Sequence, residues 1–355
     1  MTSTTVAYVI AVIAALVVAV YVTIVVVEVC NYHRITMHEI IAPQLYRGLD
    51  VPCTYVKVPQ ECKTAYDDAV QRGYDIMSKS KMVFCILCRD MTEKVSLLQR
   101  RVTLTCRSFN DYAVVIFEND SEDNTRQLLK QWQSSDPQHV HLLECPEAAD
   151  CRLKQLKMYT YGNLSASRMR RMADFRNRYV NYTKKNFSDF DYAIVLDGDT
   201  QGPWSVDGIA HTIGQREQPQ WDVVAAMAQA SFPGTFGTHM IMNDALAYVG
   251  DDNAKLVAQD GAMKKIDFAL RVFDHSRRPG EPMYAVRSAF NGMAIYRLPA
   301  FFAGSYGTDE CEHIGKHETM AAAGYGRIFI NPALLLYTGA QGAPINRRYL
   351  LNVMS

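Results

Sequence analysis

The 355-residue chain has no surplus of either charge: Lys+Arg and Asp+Glu are both 37. A nucleic-acid binder usually shows a basic excess or a basic stripe, so the balance argues against that class. A small anionic ligand needs only a local cluster and stays open. A zinc framework is missing too, because the nine cysteines, at 30, 53, 62, 85, 88, 106, 145, 151 and 311, are too scattered. Cys85 and Cys88 form the one close pair, but they fall inside the apolar run Met82–Cys88, where strand geometry sends them to opposite faces as core residues. Cys53 with Cys62, or Cys145 with Cys151, can form disulfides if the chain faces an oxidising lumen. There is no internal repeat or low-complexity segment. No Gly-rich, Lys-bearing loop follows Cys88, where the chain reads Arg89-Asp90-Met91-Thr92, and that argues against a nucleotidyltransferase.

The N-terminus lacks charge altogether. Val6 to Val27 is 22 residues without an acidic or basic side chain, long enough to cross a bilayer as a helix. A basic n-region and a clean small-residue cleavage site are absent, so the stretch reads as a retained anchor rather than a removed signal peptide. Orientation is not set by the positive-inside rule, since Met1 to Thr5 carries no Lys or Arg and Arg34 lies on the other side. The expected organisation is an anchor over 1–29, a stem over 30–75 and a globular domain over 76–355. The stem expectation rests on Pro43, Pro52 and Pro59 in a stretch with little periodicity. A single-pass membrane location follows, of Golgi or ER type II if eukaryotic. Four N-x-[ST] sequons, at Asn119, Asn163, Asn181 and Asn186, are compatible with a lumenal position.

Regular alternation begins at Lys81. Met82–Cys88, Tyr112–Phe117 and Val140–Leu143 read as buried strands, with helices over Met91–Thr105 and Asp123–Trp132 between them. A long basic helix, Ser165–Asn186, precedes a further apolar run, Tyr192–Leu196, and a helix and a strand follow over Asp207–Arg216 and Trp221–Ala228. Strands separated by helices imply a mostly parallel α/β sheet flanked by helices. Such sheets bind ligands at the carboxyl ends of their strands. Two of those ends carry carboxylates here. Tyr192–Leu196 stops at Asp197-Gly198-Asp199, two hard oxygen ligands at i and i+2 on a turn that glycine lets bend sharply, which suits Mg²⁺ or Mn²⁺ holding a phosphate. The bland alternative is a solvated acidic turn. Tyr112–Phe117 stops at Glu118-Asn119-Asp120-Ser121-Glu122-Asp123-Asn124-Thr125, acceptors suited to ribose hydroxyls or base N–H groups, with Ser121 or Asp123 also able simply to cap a helix.

Taken in order, these pieces resemble the GT-A glycosyltransferases of family 2. The resemblance is carried by the Glu118-Asn119-Asp120-Ser121 strand end, then Ala173-Asp174-Phe175-Arg176-Asn177, then Asp197-Gly198-Asp199. It continues through Phe290-Asn291-Gly292-Met293 and Glu310-Cys311-Glu312-His313 to Gly324-Tyr325 and Pro332, covering roughly residues 80 to 335. It implies a Rossmann-like GT-A catalytic domain, a nucleoside-diphosphate sugar as donor, a glycan or glycoprotein hydroxyl as acceptor, and Mn²⁺ or Mg²⁺. Asp199, with Asp197, would hold the cation; Glu118 and Asp120 would position the nucleoside. Arg176, with Arg171, would neutralise phosphate or hold the carboxylates in place. One departure stands out: where the family commonly has Glu-Asp, with the Asp as base, this chain has Glu312-His313. Either residue is then a candidate base, with Asp309 and Glu310 close by. His317 lies one turn beyond His313, a spacing that also admits a zinc pair. Residues 229–287, without clear periodicity, are expected to line the acceptor pocket. Two other classes compete. One is a non-enzymatic, membrane-anchored cation- or partner-binding module. The other is a haloacid-dehalogenase-type phosphatase, whose Asp-x-Asp normally ends the first strand of its domain.

Overall fold

The computed structural model describes residues 5, 8–23, 58–145, 151, 166–200, 204–215, 219–234, 237–241, 244, 246–250, 277, 279–307 and 311–337. Residues 8–23 form helix α1, whose apolar side chains are exposed, Ile10, Leu16, Val17 and Val20 among them. Among the described residues no helix is long and apolar enough to cross a membrane. Residues 6–7 and 24–27 of the expected span lie outside them.

Helix α2 covers Gln60–Met77 and corrects the expectation of a stem running to residue 75. Ala69, Val70 and Met77 are buried in the core, the Tyr74 hydroxyl donates to Asp207 at 2.7 Å, and Tyr66 stacks on His211. A Cβ on Gly73 would lie 1.8 Å from the Ala210 carbonyl oxygen, so glycine is what lets α2 seat against its neighbour. Its buried stripe mixes small and large residues, Ala69, Val70, Gly73 and Met77, on one face of an amphipathic helix.

The domain continues as β1 Lys81–Cys88, α3 Thr92–Cys106, β2 Asp111–Glu118, α4 Thr125–Ser135, β3 Val140–Glu144, α5 Ala166–Asn186 and β4 Tyr192–Asp197. After β4 come α6 Val206–Gly214, β5 Val223–Gly234, β6 Gly237–Ile241, β7 Tyr284–Val286, β8 Met293–Arg297, α7 Leu298–Ala303, α8 Glu312–Ala322 and β9 Ile328–Tyr337. The strands expected from alternation are all present. They form one sheet in the order β3-β2-β1-β4-β8-β5-β9-β7, with β6 pairing β5. The first four are mutually parallel, as are β5 and β9. Antiparallel strands interleave them, which the helix-strand alternation did not reveal: β8 lies between β4 and β5 and opposes both. The reason is local. Asn291 (φ +56°) and Gly292 (φ +82°) turn the chain at the carboxyl edge of β4, so β8 must run back down the sheet.

The sheet separates two apolar layers. Phe84, Ile86, Cys88, Trp204 and Ile209 pack on the α2, α3 and α6 side, while Val83, Cys85, Phe175, Tyr179 and Phe301 pack on the α5, α7 and α8 side. Cys85 and Cys88 therefore do face opposite layers. A strand covered on both faces is apolar throughout, as β1 and β4 are, and each fully buried large side chain contributes about 1.5–3 kcal/mol. Cys145 and Cys151 are joined in a disulfide; Cys53 lies outside the described residues.

Candidate active site

The parallel register brings the carboxyl ends of β1, β2 and β4 level, with Leu87 opposite Asp197 and Cys88 opposite Glu118. Gly198 continues the line, donating its N–H to the Leu87 carbonyl at 3.1 Å. A Cβ there would lie 2.6 Å from that oxygen and 2.8 Å from the Cys88 sulfur, so only glycine allows the turn to press against β1. Asp197 and Asp199 flank it. Asp199 is exposed, and its carbonyl accepts from the Lys94 ammonium at 2.9 Å. Asp197 is half-buried, with its side chain 35% exposed.

Arg176, on α5, organises the edge from beneath. Its side chain is 3% exposed, and it donates from Nη2 to Asp197 Oδ1 and from Nε to Glu312 Oε1, both at 2.9 Å. Nη1 reaches the Tyr179 hydroxyl at 3.3 Å, and the guanidinium lies 5.1 Å from the Phe290 ring centre. Of the two roles expected for Arg176, holding the carboxylates is the one its geometry performs. Such a fork matches carboxylates well and is expensive to break when buried. Burial, with the charge of Asp199 adding to it, pushes the Asp197 carboxyl up to about 7 against the pull of Arg176. Solvent on its exposed third moderates that effect.

The β2 end holds a surprise. Glu118 is fully buried, accepting from the Ser121 N–H at 2.6 Å and from Arg126 Nε at 2.8 Å, so it shapes the loop and is not presented to a nucleoside. Sequence alone does not separate a loop-shaping carboxylate from a ligand-binding one. Asp120, at φ +50°, is more open and receives Arg126 Nη2 at 3.0 Å. Asp123 binds the N–H groups of Thr125 and Thr92 at 2.9 and 3.0 Å, joining the starts of α4 and α3; these hydrogen bonds overcome its burial and lower its carboxyl to about 2.

Glu312 and His313 open α8. Glu312 has a side chain 8% exposed, and its second oxygen, Oε2, faces the Cys311 thiol at 3.9 Å. His313 is buried against Phe290, stacked at 3.7 Å, with Tyr306 edge-on. Its Nε2 lies 3.8 Å from Glu312 Oε1 and neither ring nitrogen has a hydrogen-bond partner. Burial, together with the charges of Arg176 and Lys316, holds His313 well below its ordinary pKa, so it is neutral. The zinc pair does not form. His317 uses both nitrogens, Nδ1 with Ser288 Oγ at 2.8 Å and Nε2 with the Tyr296 hydroxyl at 3.1 Å. Asp309 and Glu310 lie outside the described residues.

Two features escaped the sequence reading. Asp244 is half-buried, accepts from the Ala247 N–H at 3.2 Å, and is pushed up to about 6 by burial and by the nearby charge of Glu312. It sits in the aperiodic stretch, where nothing marked it. The second is a set of buried polar atoms without partners along this one edge: Asn119 Oδ1, Thr200 Oγ1, Asn291 Oδ1 and both His313 nitrogens. Buried polar atoms are normally satisfied, and a cluster of exceptions marks a place where water or a ligand completes the site.

Among the described residues no group of three or more His, Cys, Asp or Glu is arranged to hold a metal ion. A divalent ion of the Mg²⁺ type needs only one or two carboxylates when substrate phosphates and water complete its shell. Asp199, Asp197 Oδ2 and the unpartnered Thr200 hydroxyl fit that requirement.

No protein-family model and no curated protein matches the chain. In structure it is similar to several solved proteins. One is a mannosyltransferase from Pyrobaculum calidifontis, PcManGT, in complex with GDP-Man and Mn²⁺, at 11% identity over 83% of this chain and 72% of that one, TM-score 0.42. Another is GalNAc-T7 with UDP, GalNAc and Mn²⁺, at 11% identity over 84% of this chain and 57% of that one, TM-score 0.43. S. aureus TarS (residues 1–349) is a third, at 9% identity over 77% of this chain and 63% of that one, TM-score 0.38. The chain thus spans less than two thirds of the last two.

Proposed function

We propose that this chain is a metal-dependent glycosyltransferase, a hexosyltransferase moving a sugar from a nucleoside-diphosphate sugar to a hydroxyl of a glycan or glycoprotein. The observation that carries the reading is the buried Arg176 fork. One guanidinium fixes a carboxylate of the Asp197-Gly198-Asp199 turn and a carboxylate of α8, so two acidic groups from distant parts of the chain are held in one geometry.

Asp199 and Asp197 Oδ2 would hold Mn²⁺ or Mg²⁺, which supplies charge neutralisation to the leaving diphosphate. Asp197 cannot swing away, because Arg176 holds its other oxygen. At the β2 end, Asp120 presents an acceptor to the nucleoside with Arg126 fixing it. An open groove of about 690 Å³ runs from Ser121, Asp123 and Arg126 along α4 to Lys130 and Ser134. Glu312 is assigned the base role, because Oε2 is turned away from Arg176 and can take a proton from an acceptor hydroxyl. His313, buried and neutral, backs Glu312 rather than replacing it. Anchoring in a membrane by the N-terminal apolar stretch, in the Golgi or ER if the source is eukaryotic, is supported by the exposed apolar surface of α1 and by the Cys145–Cys151 disulfide.

The phosphatase reading is weakened by place and partner: Asp197 ends the fourth strand, and one of its oxygens is committed to a buried arginine. The test is a donor screen on the full chain in detergent with Mn²⁺, reading nucleotide released from each of a panel of sugar nucleotides. Metal-dependent release from one donor class is expected. Binding of sugar nucleotides with no release from any would favour the non-enzymatic module instead.

A further inference from the structure

We infer that Asn177 is a positioning residue for Glu312, fixing the orientation of α8 through the backbone of Tyr306. The inference rests on the transferase reading for its consequence and on the hydrogen bonds alone for its geometry. Consecutive residues on a helix point about 100° apart. Arg176 and Asn177 therefore leave α5 in different directions, yet they grip the same downstream segment. Arg176 takes the Glu312 carboxylate at 2.9 Å. Asn177 takes both polar groups of one peptide residue: its Nδ2 donates to the Tyr306 carbonyl at 3.2 Å and its Oδ1 accepts the Tyr306 N–H at 2.9 Å.

The side chain of Tyr306 closes a ring. Its hydroxyl accepts from the Tyr179 hydroxyl at 3.2 Å, and the Tyr179 oxygen accepts from Arg176 Nη1 at 3.3 Å. The segment held by Asn177 is itself stitched to α8. The Thr319 hydroxyl accepts the Ser305 N–H and donates to the Ser305 carbonyl, both at 3.0 Å, while the Lys316 ammonium donates to the Phe301 and Gly304 carbonyls. A Cβ on Gly315 would lie 2.5 Å from the Gly307 Cα, so the two backbones touch. Residues 304–307 and α8 thus move as one body, hung on α5 through Arg176 at Glu312 and through Asn177 and Tyr179 at Tyr306. An ion pair is a pivot about which that body can turn, and the single hydroxyl contact from Tyr179 holds only the tip of the Tyr306 side chain. The paired hydrogen bonds from Asn177 to the Tyr306 backbone remove the rotation and set where Glu312 Oε2 points. A displacement of about 1 Å at a reacting group can cost on the order of a hundredfold in rate, so the attachment matters to turnover more than to donor binding.

Cys311, next to Glu312, is a built-in reporter that needs neither metal nor substrate. Its thiol is raised well above the usual range by burial and by the charges of Glu312 and Asp244, so it reacts slowly while α8 is held. The experiment compares the full chain with Asn177→Leu, which removes both hydrogen bonds at similar volume, and Asn177→Asp, which keeps only the acceptor for the Tyr306 N–H. Two quantities are read: steady-state transfer, and alkylation of Cys311 by iodoacetamide in metal-free protein, followed by peptide mass spectrometry. Expected are a fall in kcat of about tenfold or more for Asn177→Leu with donor KM changed less than about twofold, a smaller fall for Asn177→Asp, and faster Cys311 alkylation in the same order. Asn177→Asp carries the test if the leucine variant does not fold. Wild-type kcat together with wild-type alkylation overturns the inference, as does an equal change in kcat and KM. A wild-type chain that transfers no sugar sinks the transferase reading, and unchanged alkylation in the variants then sinks the positioning claim separately.

Discussion

Replacing Arg176 by Met probes the buried fork at the sheet edge. The side chain keeps most of its apolar length but loses the guanidinium that meets Asp197 and Glu312 at 2.9 Å each. Hydrogen bonds to charged groups contribute about 1.5–3 kcal/mol apiece. The Asp197 bond is discounted, because that side chain is 35% exposed and water replaces part of what is lost. The Glu312 bond is not, at 8% exposure. Removing one partner of a buried pair costs about 3–5 kcal/mol, chiefly because the other charge stays buried and uncompensated. We expect a loss of about 3 kcal/mol at pH 7.5, a large share of a total stability of about 5–15 kcal/mol. The pH dependence gives a second check. Without Arg176 nothing opposes burial at Asp197, so its folded pKa rises still further above the unfolded value of about 4, the folded state binds the extra proton, and the variant regains stability as pH falls. Urea denaturation of both proteins at pH 7.5 and pH 5 measures this. A deficit under about 1 kcal/mol, or one that does not shrink at pH 5, would refute the clamp, since removing a real buried partner predicts both.

Three further outcomes follow from the site. Asp199→Ala is expected to abolish metal-dependent transfer while leaving the urea midpoint unchanged, because its carboxylate is exposed; full activity would remove Asp199 from the metal site. Glu312→Gln should lower kcat far more than it weakens donor binding, and equal changes in the two would make it a binding residue with the base elsewhere. His317 is held down to about 3 by burial, so between pH 6.5 and 3 the unfolded chain takes up a proton that the folded one refuses. Its contribution is present above pH 6.5 and is lost on acidification at up to about 1.4 kcal/mol per pH unit. His317→Gln, able to keep the Ser288 and Tyr296 hydrogen bonds, should flatten that acid limb in pH-dependent melts.

The strands and the Asp197-Gly198-Asp199 turn were legible because buried strands announce themselves as unbroken apolar runs, and β4 is one. Their pairing was legible only in part, since the direction of β8 depends on a turn at Asn291-Gly292 that periodicity does not encode. Arg176 stood out by residue type; its burial did not, because a basic helix reads as a solvated face until its partners are known. Those partners are distant: Glu312 lies 136 residues on, and Tyr306, held by Asn177, 129 residues from it. Glu118 shows the converse. Its type and place suited a ligand, but a neighbouring arginine and a tight turn take up both oxygens. Helix α2 is amphipathic, but it follows directly on Pro59 at the end of a Pro-bearing, aperiodic stretch, and the stem expectation was extended across it.

The central claim is that Asp197 and Asp199 present a divalent cation to a diphosphate, and calorimetric titration of the metal-free full chain with Mn²⁺ tests it most directly. Run with and without a nucleoside diphosphate, the titration should show Mn²⁺ binding strengthened by the nucleotide in the wild-type chain and that strengthening lost in Asp199→Ala. Identical Mn²⁺ isotherms with and without nucleotide, or the same strengthening in Asp199→Ala, would contradict the account.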